Sequence, residues 1–168
     1  MDPDLEIRPA RPDEYAQVGA LVVAAYRAFY GGELGTYGRH LADVATRARE
    51  AIVLVATAGG TVVGSVTYVP DTASPYAEAL RDGEAAIRML ATDPAWQRRG
   101  VGRALSVACI ERARAAGRCA LVLHADEVMV VARHLYEALG FRRDPSRDFW
   151  PDAHTQLRCY SLKLTESD

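Results

Sequence analysis

The fold of this chain is decided by residues 90–104, which read LATDPAWQRRGVGRA. An apolar run ends at Asp93 and Pro94, and a basic turn with two glycines then leads into an alanine- and leucine-rich helix. The first N–H groups of a helix have no partner within the helix, and the helix dipole makes that end favour anions. Gly100 and Gly102 allow a phosphate to approach the backbone closely. The stretch therefore predicts a pyrophosphate site.

Two better-known phosphate loops do not fit these residues. A P-loop needs a Lys-Ser/Thr pair after its glycines, and Lys163 is the only lysine of this chain. A dinucleotide-binding loop needs three spaced glycines, but Leu105 stands where the third would be. Residues 97–102 read Gln-x-x-Gly-x-Gly instead. The alternative to a phosphate site is a helix start eased by glycine, with its arginines in solvent.

Length and composition favour one globular domain over residues 1–168, because 168 residues are too few for two ordinary domains. The net charge of −2 argues against a nucleic-acid partner, which usually requires a basic excess. No run approaches the roughly 18 apolar residues of a membrane helix, and the acidic N-terminus does not resemble a signal peptide. We expect a cytoplasmic protein without a membrane partner.

Cysteines and histidines give no metal or disulfide pattern. Cys109, Cys119 and Cys159 are odd in number and widely spaced. Cys109 falls on the apolar side of the predicted helix and is expected to be buried. The four histidines share no spacing. We therefore expect no metal site.

Hydrophobic periodicity predicts alternating strands and helices. Val18, Leu21, Val22 and Ala25 recur at helical spacing after a helix start at residues 11–14, and a break follows at residues 26–32. Further helices are expected at residues 39–50, 99–116 and 127–139, and strands at 5–8, 52–56, 62–69, 84–92, 120–124, 141–143 and 157–164. Residues 70–83 are expected to form a surface loop. The chain is thus predicted to be a mixed α/β protein.

A second motif lies downstream, where residues 132–141 contain A-x-x-L-Y-E-x-x-G-F. Together with the glycine turn, and in this order, it resembles the GNAT superfamily of acyl-CoA-dependent N-acyltransferases. The resemblance covers nearly the whole chain. It implies a single GNAT-like domain with a central, mostly antiparallel mixed sheet flanked by helices, and acetyl-CoA as the acyl-donating cosubstrate.

The resemblance also implies which residues bind the cosubstrate. Backbone groups of one strand end would bind the pantetheine arm as an added strand does, and the turn would bind the pyrophosphate mainly through N–H groups. The three arginines could reach phosphates or remain in solvent. The expected binding residues are Leu90, Ala91, Thr92, Gln97, Arg98, Arg99, Gly100, Val101, Gly102 and Arg103. Many relatives place an asparagine where this chain has Met129, which puts one pantetheine contact in doubt.

Tyr136 occupies the position of the family's usual general acid. Attack of an amine on a thioester expels a thiolate, and a positioned proton donor eases that departure. A phenol with a pKa of about 10 stays protonated at neutral pH and can donate. The alternative is a packing aromatic at helical spacing with Ala132 and Leu139.

Two residues are candidates for the general base. Glu84 begins the strand that would bind the cosubstrate, although a glutamate at a strand end is more often a solvated charge. His124 ends the next strand, near the place where acceptor and thioester should meet. His134 is expected to be a surface or packing histidine.

Seven aromatic residues fall in the regions that form the acceptor site in this family. They predict a pocket for an apolar or cationic amine, with ordinary core packing as the alternative; they are Tyr26, Phe29, Tyr30, Tyr37, Tyr76, Phe149 and Trp150. The leading hypothesis is N-acetylation of a small-molecule amine by direct attack in a ternary complex. The alternatives are a protein or peptide N-acetyltransferase, aminoacyl-tRNA modification (disfavoured by the charge) and a non-catalytic acyl-CoA sensor. The resemblance leaves a homodimer possible.

Overall fold

The computed structural model describes residues 4–77 and 79–165. Its strands are β1 (Leu5–Pro9), β2 (Ile52–Ala58), β3 (Thr61–Val69), β4 (Glu84–Thr92), β5 (Ala120–Asp126), β6 (Arg142–Arg143) and β7 (Leu157–Lys163). Its α-helices are α1 (Tyr15–Tyr30), α2 (Gly35–Ala42), α3 (Val44–Glu50), α4 (Val101–Ala115) and α5 (Val130–Ala138). Single 3-10 turns occupy Pro12–Glu14, Pro94–Trp96 and Pro145–Arg147.

The seven strands form one sheet in the order β1-β2-β3-β4-β5-β7-β6. β4 and β5 are parallel because α4 connects them as a crossover, and the other neighbouring strands are antiparallel. This confirms the predicted mixed, mostly antiparallel sheet.

Helices cover both faces of the sheet, so its central strands are apolar on both sides. In β2, Leu54 and Ala56 belong to the core that contains α4 and α5. Val53 and Val55 alternate with them and belong to the core that contains α1, α2 and α3. The sheet therefore separates an α4 face from an α1 face.

The first helix is longer than the sequence pattern predicted. α1 continues to Tyr30 and ends at Gly31, which has a φ of +70°. The expected break at residues 26–32 was therefore wrong for its first five residues. Tyr26, Phe29 and Tyr30 lie on the last turns of the helix, where α1 carries them towards β5.

The helix predicted at residues 39–50 is two helices. Asp43, with a ψ of 70°, interrupts the helical path, and its Oδ1 accepts a hydrogen bond from the N–H of Thr46 at 3.2 Å. Such a side chain caps a helix start, so α2 ends and α3 begins at this residue. The periodicity gave no sign of the interruption because Leu41 and Val44 are both buried.

α4 packs very closely on β3 at Gly64. A Cβ at this position would lie 2.5 Å from Cγ1 of Val101 and 3.1 Å from the carbonyl oxygen of Ala91. The absent side chain lets the first turn of α4 lie directly against the sheet. No helix among the described residues is long and apolar enough to cross a membrane.

Candidate active site

β4 and β5 separate after three residue pairs, the last of which joins Ala86 and Val122. Beyond it, no further pairing joins the two strands within the described ranges, whereas β5 remains paired with β7 as far as Asp126 and Leu157. The strands therefore form a V. Backbone N–H and C=O groups on the β5 side of the second half of β4 remain open to an extended ligand.

Leu90, Ala91 and Thr92 lie on this open half of β4. The register between β3 and β4 shifts between Arg88 and Ala91, and Met89 in this interval has a φ of +55°. An irregularity of this kind bends a strand and increases its twist. The structure thus places the three residues predicted to contact a pantetheine arm where β4 turns away from β5.

The glycine turn leads directly into the N-terminus of α4. Gly100 caps the helix with a φ of +81°, and Arg98 also has a positive φ of +63°. α4 begins at Val101 rather than at residue 99 because these left-handed residues are not helical. The N–H of Ala104 is bonded to the carbonyl of Gly100 at 2.9 Å. The three N–H groups before it point out of the helix start, where they can bind an anion.

The side chains of the turn divide into a buried and an exposed group. Val101 is buried in the core on the α4 face, so only its backbone is available to a ligand. Arg99 lies over the ring of Trp96, with 4.7 Å between the guanidinium carbon and the ring centroid. The other polar side chains of the turn are exposed to solvent; they are Gln97, Arg98 and Arg103.

Tyr136 is buried on the α4 face, where its ring lies 5.6 Å from that of Phe141. Burial raises the pKa of its phenol above the usual 10, and the nearby Cys109 adds to the shift. The phenol therefore stays protonated throughout the neutral range, as a general acid requires. It is not among the residues that line the cleft described next.

A cleft of about 100 Å³ opens on the α1 face, between the diverging strands. Its floor consists of residues 86–89 of β4 and 122–124 of β5. Five of the seven predicted aromatic residues line it: Tyr26, Tyr30, Tyr37, Tyr76 and Phe149. Phe29 packs edge-on against Tyr26, and Trp150 is exposed, so neither belongs to the lining.

His124 lies in this cleft, with its ring 4.9 Å from that of Phe149. Its Nε2 is 3.0 Å from the carbonyl oxygen of Arg147, and a carbonyl can only accept. Nε2 therefore carries the proton, and Nδ1 of the neutral ring holds the lone pair. Burial lowers the pKa of His124. A neutral imidazole in the cleft is suited to accept a proton from an amine.

Glu84 has a different environment. Its two oxygens accept hydrogen bonds from the Arg147 guanidinium at 2.7 and 2.9 Å, and Oε1 also accepts from the N–H of Arg81. Burial alone would raise the pKa of Glu84, but these hydrogen bonds outweigh it and lower the pKa. Glu84 does not line the cleft. The geometry favours a structural role for Glu84 over the predicted role as base.

Asp126 is a cleft residue that the sequence reasoning missed. It ends β5, two residues after His124, and its carboxylate accepts a hydrogen bond from the hydroxyl of Tyr30 at 3.0 Å. The signal was present in the sequence, since residues two apart on a strand point to the same side. Met129, at the start of α5, lines the same cleft. His134 is exposed on α5, which agrees with the surface alternative of the two predicted for it.

No cluster of three or more potential metal-ligating side chains occurs in residues 4–77 or 79–165. Among the cysteines, Cys109 is buried on α4 as predicted, Cys159 is buried and Cys119 is exposed.

The acetyltransferase (GNAT) family model matches residues 19–141. Solved structures share the fold over almost the whole chain. An acetyltransferase of the GNAT family from Staphylococcus aureus Mu50 has a TM-score of 0.75 at 13% identity, covering 96% of this chain and 100% of that one. A GNAT family acetyltransferase from Brucella melitensis, in complex with acetyl-CoA, has a TM-score of 0.65 at 23% identity, covering 98% and 91%.

The ribosomal-protein-S18-alanine N-acetyltransferase of Escherichia coli is also similar, with a TM-score of 0.71 at 17% identity, covering 98% of this chain and 97% of that one. A curated relative, the mycothiol acetyltransferase of Streptosporangium roseum, is 40% identical over 57 residues. That match spans 34% of this chain and only 17% of the relative. The chain belongs to the acetyltransferase (GNAT) family.

Proposed function

We propose that this protein transfers an acetyl group from acetyl-CoA to a primary amine of a small molecule, by direct attack in a ternary complex. The observation that carries the proposal is the open half of β4 leading into the N-terminus of α4. One continuous segment thus offers an extended backbone edge and then unpartnered N–H groups. This order matches the linear order of a pantetheine arm and its pyrophosphate.

The residues proposed for the donor side act mainly through their backbone. Leu90, Ala91 and Thr92 lie on the unpaired side of β4, and the N–H groups of residues 101–103 lie at the helix start. A positive end of the helix dipole favours a pyrophosphate there. The exposed Arg98 and Arg103 add positive charge without a fixed geometry.

The acceptor side is the cleft on the α1 face. When the amine nitrogen attacks, a C–N bond to the acetyl carbonyl carbon forms and the C–S bond breaks. We assign His124 to accept the proton that the amine loses, because its Nδ1 holds a lone pair. Tyr136 would give a proton to the departing sulfur. In this role the phenol would act from the α4 face of the sheet, where Tyr136 is buried.

Release of the thiol from acetyl-CoA in the presence of a panel of amines tests the proposal. We expect turnover with aromatic or cationic amines, and tight binding of acetyl-CoA by titration calorimetry. Preference for small anionic amino acids would contradict an aromatic acceptor site. Tight acetyl-CoA binding without turnover of any acceptor would favour a non-catalytic sensor.

A second candidate is acetylation of a protein or peptide N-terminus. The observation that favours it is the fold shared with the ribosomal-protein-S18-alanine N-acetyltransferase. Peptides with a free N-terminal amine, included in the same panel, distinguish the two functions. Turnover of peptides above that of every small amine would establish the second.

A further inference from the structure

Asp126 brings an uncompensated carboxylate to the cleft. Only 8% of the residue is exposed. Its Oδ2 accepts from the Tyr30 hydroxyl at 3.0 Å, and its Oδ1 from the N–H of Val128 at 3.1 Å. Within the described part of the chain, no cationic group lies at salt-bridge distance from it. Because buried charges are usually paired, this carboxylate is suited to a cationic ligand.

Aromatic rings surround the same end of the cleft. Tyr30 is hydrogen-bonded to Asp126, and the ring of Tyr26 lies beside Tyr30, with 6.4 Å between the ring centroids. Ring faces attract cations. α1 also ends at Tyr30, so the negative pole of its dipole lies here. Three independent features thus favour positive charge at this end of the cleft, which we call the Asp126 end.

The arginines near the cleft lie at its other end. Arg88 donates to the carbonyl of Tyr76 at 3.1 Å and packs over that ring. Arg47 is fully buried, donates to the carbonyl of His40, and acts electrostatically on Tyr76, Tyr26 and Tyr37. By contrast, the carboxylates that act on Tyr30 are Asp126 and Asp152, and no arginine or lysine is a main contributor to its raised pKa. Within the cleft, the positive charge of Arg88 thus lies against Tyr76 and the negative charge of Asp126 against Tyr30.

His124 and Asp126 are suited to two different nitrogen atoms of a ligand, one that loses a proton and one that stays protonated. They lie two residues apart on β5, so their Cα atoms are about 7 Å apart on one side of the strand. A carboxylate stabilises the charged form of an amine. It therefore suits a nitrogen that stays protonated, whereas the attacking nitrogen must be neutral. His124, whose neutral ring holds a lone pair on Nδ1, suits the attacking nitrogen.

We propose, on the basis of the function proposed above, that the acceptor is a diamine. One nitrogen is acetylated after losing its proton to His124, and the other remains an ammonium ion beside Asp126 and the ring of Tyr30. Asp126 is then a specificity-determining residue. The chain length between the two nitrogens matches the separation of about 7 Å between the residues that receive them.

Three acceptors with five carbon atoms each test the inference: diaminopentane, pentylamine and aminopentanoate. We expect kcat/KM for the diamine to exceed that for the monoamine by at least about tenfold, and the amino acid to be the poorest acceptor. Asp126→Asn keeps the shape and removes the charge: its amide oxygen can still accept from the N–H of Val128, and its NH2 group can donate to the Tyr30 hydroxyl oxygen. It should reduce the preference for diamine over monoamine by about tenfold, mainly through KM.

Glu127→Gln is the matched control, because it removes one negative charge from the next residue, whose side chain is mostly exposed. It should keep the preference for the diamine. Equal losses with both acceptors in Asp126→Asn, or the amino acid as best acceptor, would overturn the inference. Acetyl-CoA binding, measured separately by calorimetry, reports on the proposed function. If acetyl-CoA binds and the diamine is not acetylated, the diamine inference fails while the donor site stands.

Discussion

The phenol of Tyr136 is buried among apolar side chains, and its raised pKa keeps it protonated. If it gives a proton to the departing sulfur, Tyr136→Phe should lower kcat by about 10²-fold and leave the Kd for acetyl-CoA within about twofold. Stopped-flow thiol release and calorimetry measure the two quantities. An unchanged kcat would remove Tyr136 from the mechanism and leave it as a packing residue.

Tyr68→Phe provides the control for that substitution. Tyr68 is buried in the same core, and its hydroxyl makes no hydrogen bond to the described residues. Removing this hydroxyl should leave kcat unchanged and should not reduce stability. A loss of activity in both variants would show that the effect comes from packing.

Protonation of His124 should cause kcat to fall at low pH, which gives the pH profile its acidic limb. Burial lowers its pKa below the usual 6.5, Arg147 and Arg88 add to the lowering, and the Arg147 carbonyl and Asp148 oppose it. The neutral base is present above this pKa, so kcat should fall with pH only below 6.5. A pH profile of kcat at saturating amine measures the midpoint. His124→Gln should lower kcat and remove the limb, whereas His134→Gln, on the exposed side of α5, should do neither.

At the scale of single elements, the role of the α4 N-terminus in binding acetyl-CoA can be tested by substituting a glycine there. A glycine after the C-terminal end of the same helix provides the control. Gly100 and Gly117 both have a positive φ, and neither has a heavy atom within 4 Å of a Cβ position. Valine at either site is strained by a similar amount, of the order of 1–3 kcal/mol. Gly100→Val should weaken acetyl-CoA binding at least about tenfold in calorimetry, and Gly117→Val should not. Equal affinities would refute the pyrophosphate site.

The close contact between α4 and β3 predicts that alanine substitutions at two glycines differ in their effect on stability. Gly64→Ala forces a methyl group against Val101 and the Ala91 carbonyl, which should cost about 1–3 kcal/mol of unfolding free energy. Gly32→Ala, with an ordinary φ and no atom within 4 Å, should change it little. Urea denaturation of both variants measures the difference. A Gly64→Ala protein as stable as the parent would contradict the close packing.

The sequence predicted those helices and strands whose residues are close together in the chain. The strand at 84–92, with the same bounds as β4, and the α4 N-terminus follow from an apolar run and two glycines close in sequence. The pairing of Tyr30 with Asp126 joins residues 96 positions apart, and that of Glu84 with Arg147 joins residues 63 apart. No periodicity encodes such contacts. Hence the contact of Asp126 with Tyr30 could not be predicted, although its position on the same side of β5 as His124 could have been, and Glu84 looked available as a base.

At the scale of the whole molecule, the Glu84–Arg147 pair ties the start of β4 to the turn before β7. Arg147 also donates to the carbonyl of Ala79 at 2.7 Å, and the two charged side chains are 9% and 7% exposed. The lowered pKa of Glu84 means that the pair stabilises the protein above a pH of about 4.5 and that this stability is lost as pH falls through the folded-state pKa. Urea unfolding at a series of pH values should show the loss.

Glu84→Gln should flatten that pH dependence, because glutamine does not titrate. Arg147→Met leaves the Glu84 carboxylate buried without its cation, which should cost about 3–5 kcal/mol at neutral pH. Glu111→Gln, in an exposed acid of α4, is the control and should keep the parent profile. An acid sensitivity that survives Glu84→Gln would assign it to other carboxylates.

The divergence of β4 and β5 also divides the sheet mechanically. Strands β1 to β4 and strands β5 to β7 are joined by three residue pairs at one end and are separate at the other. Amide hydrogens of residues 87–92 that face β5 lack a strand partner there, so the two halves can open as distinct units with their own exchange rates. A ligand lying in the V would join them. Native-state hydrogen exchange should then show two groups of amides with different opening free energies in the free protein and a single group when acetyl-CoA is bound. The donor would then stabilise the contact between the two halves of the sheet in addition to supplying the acetyl group.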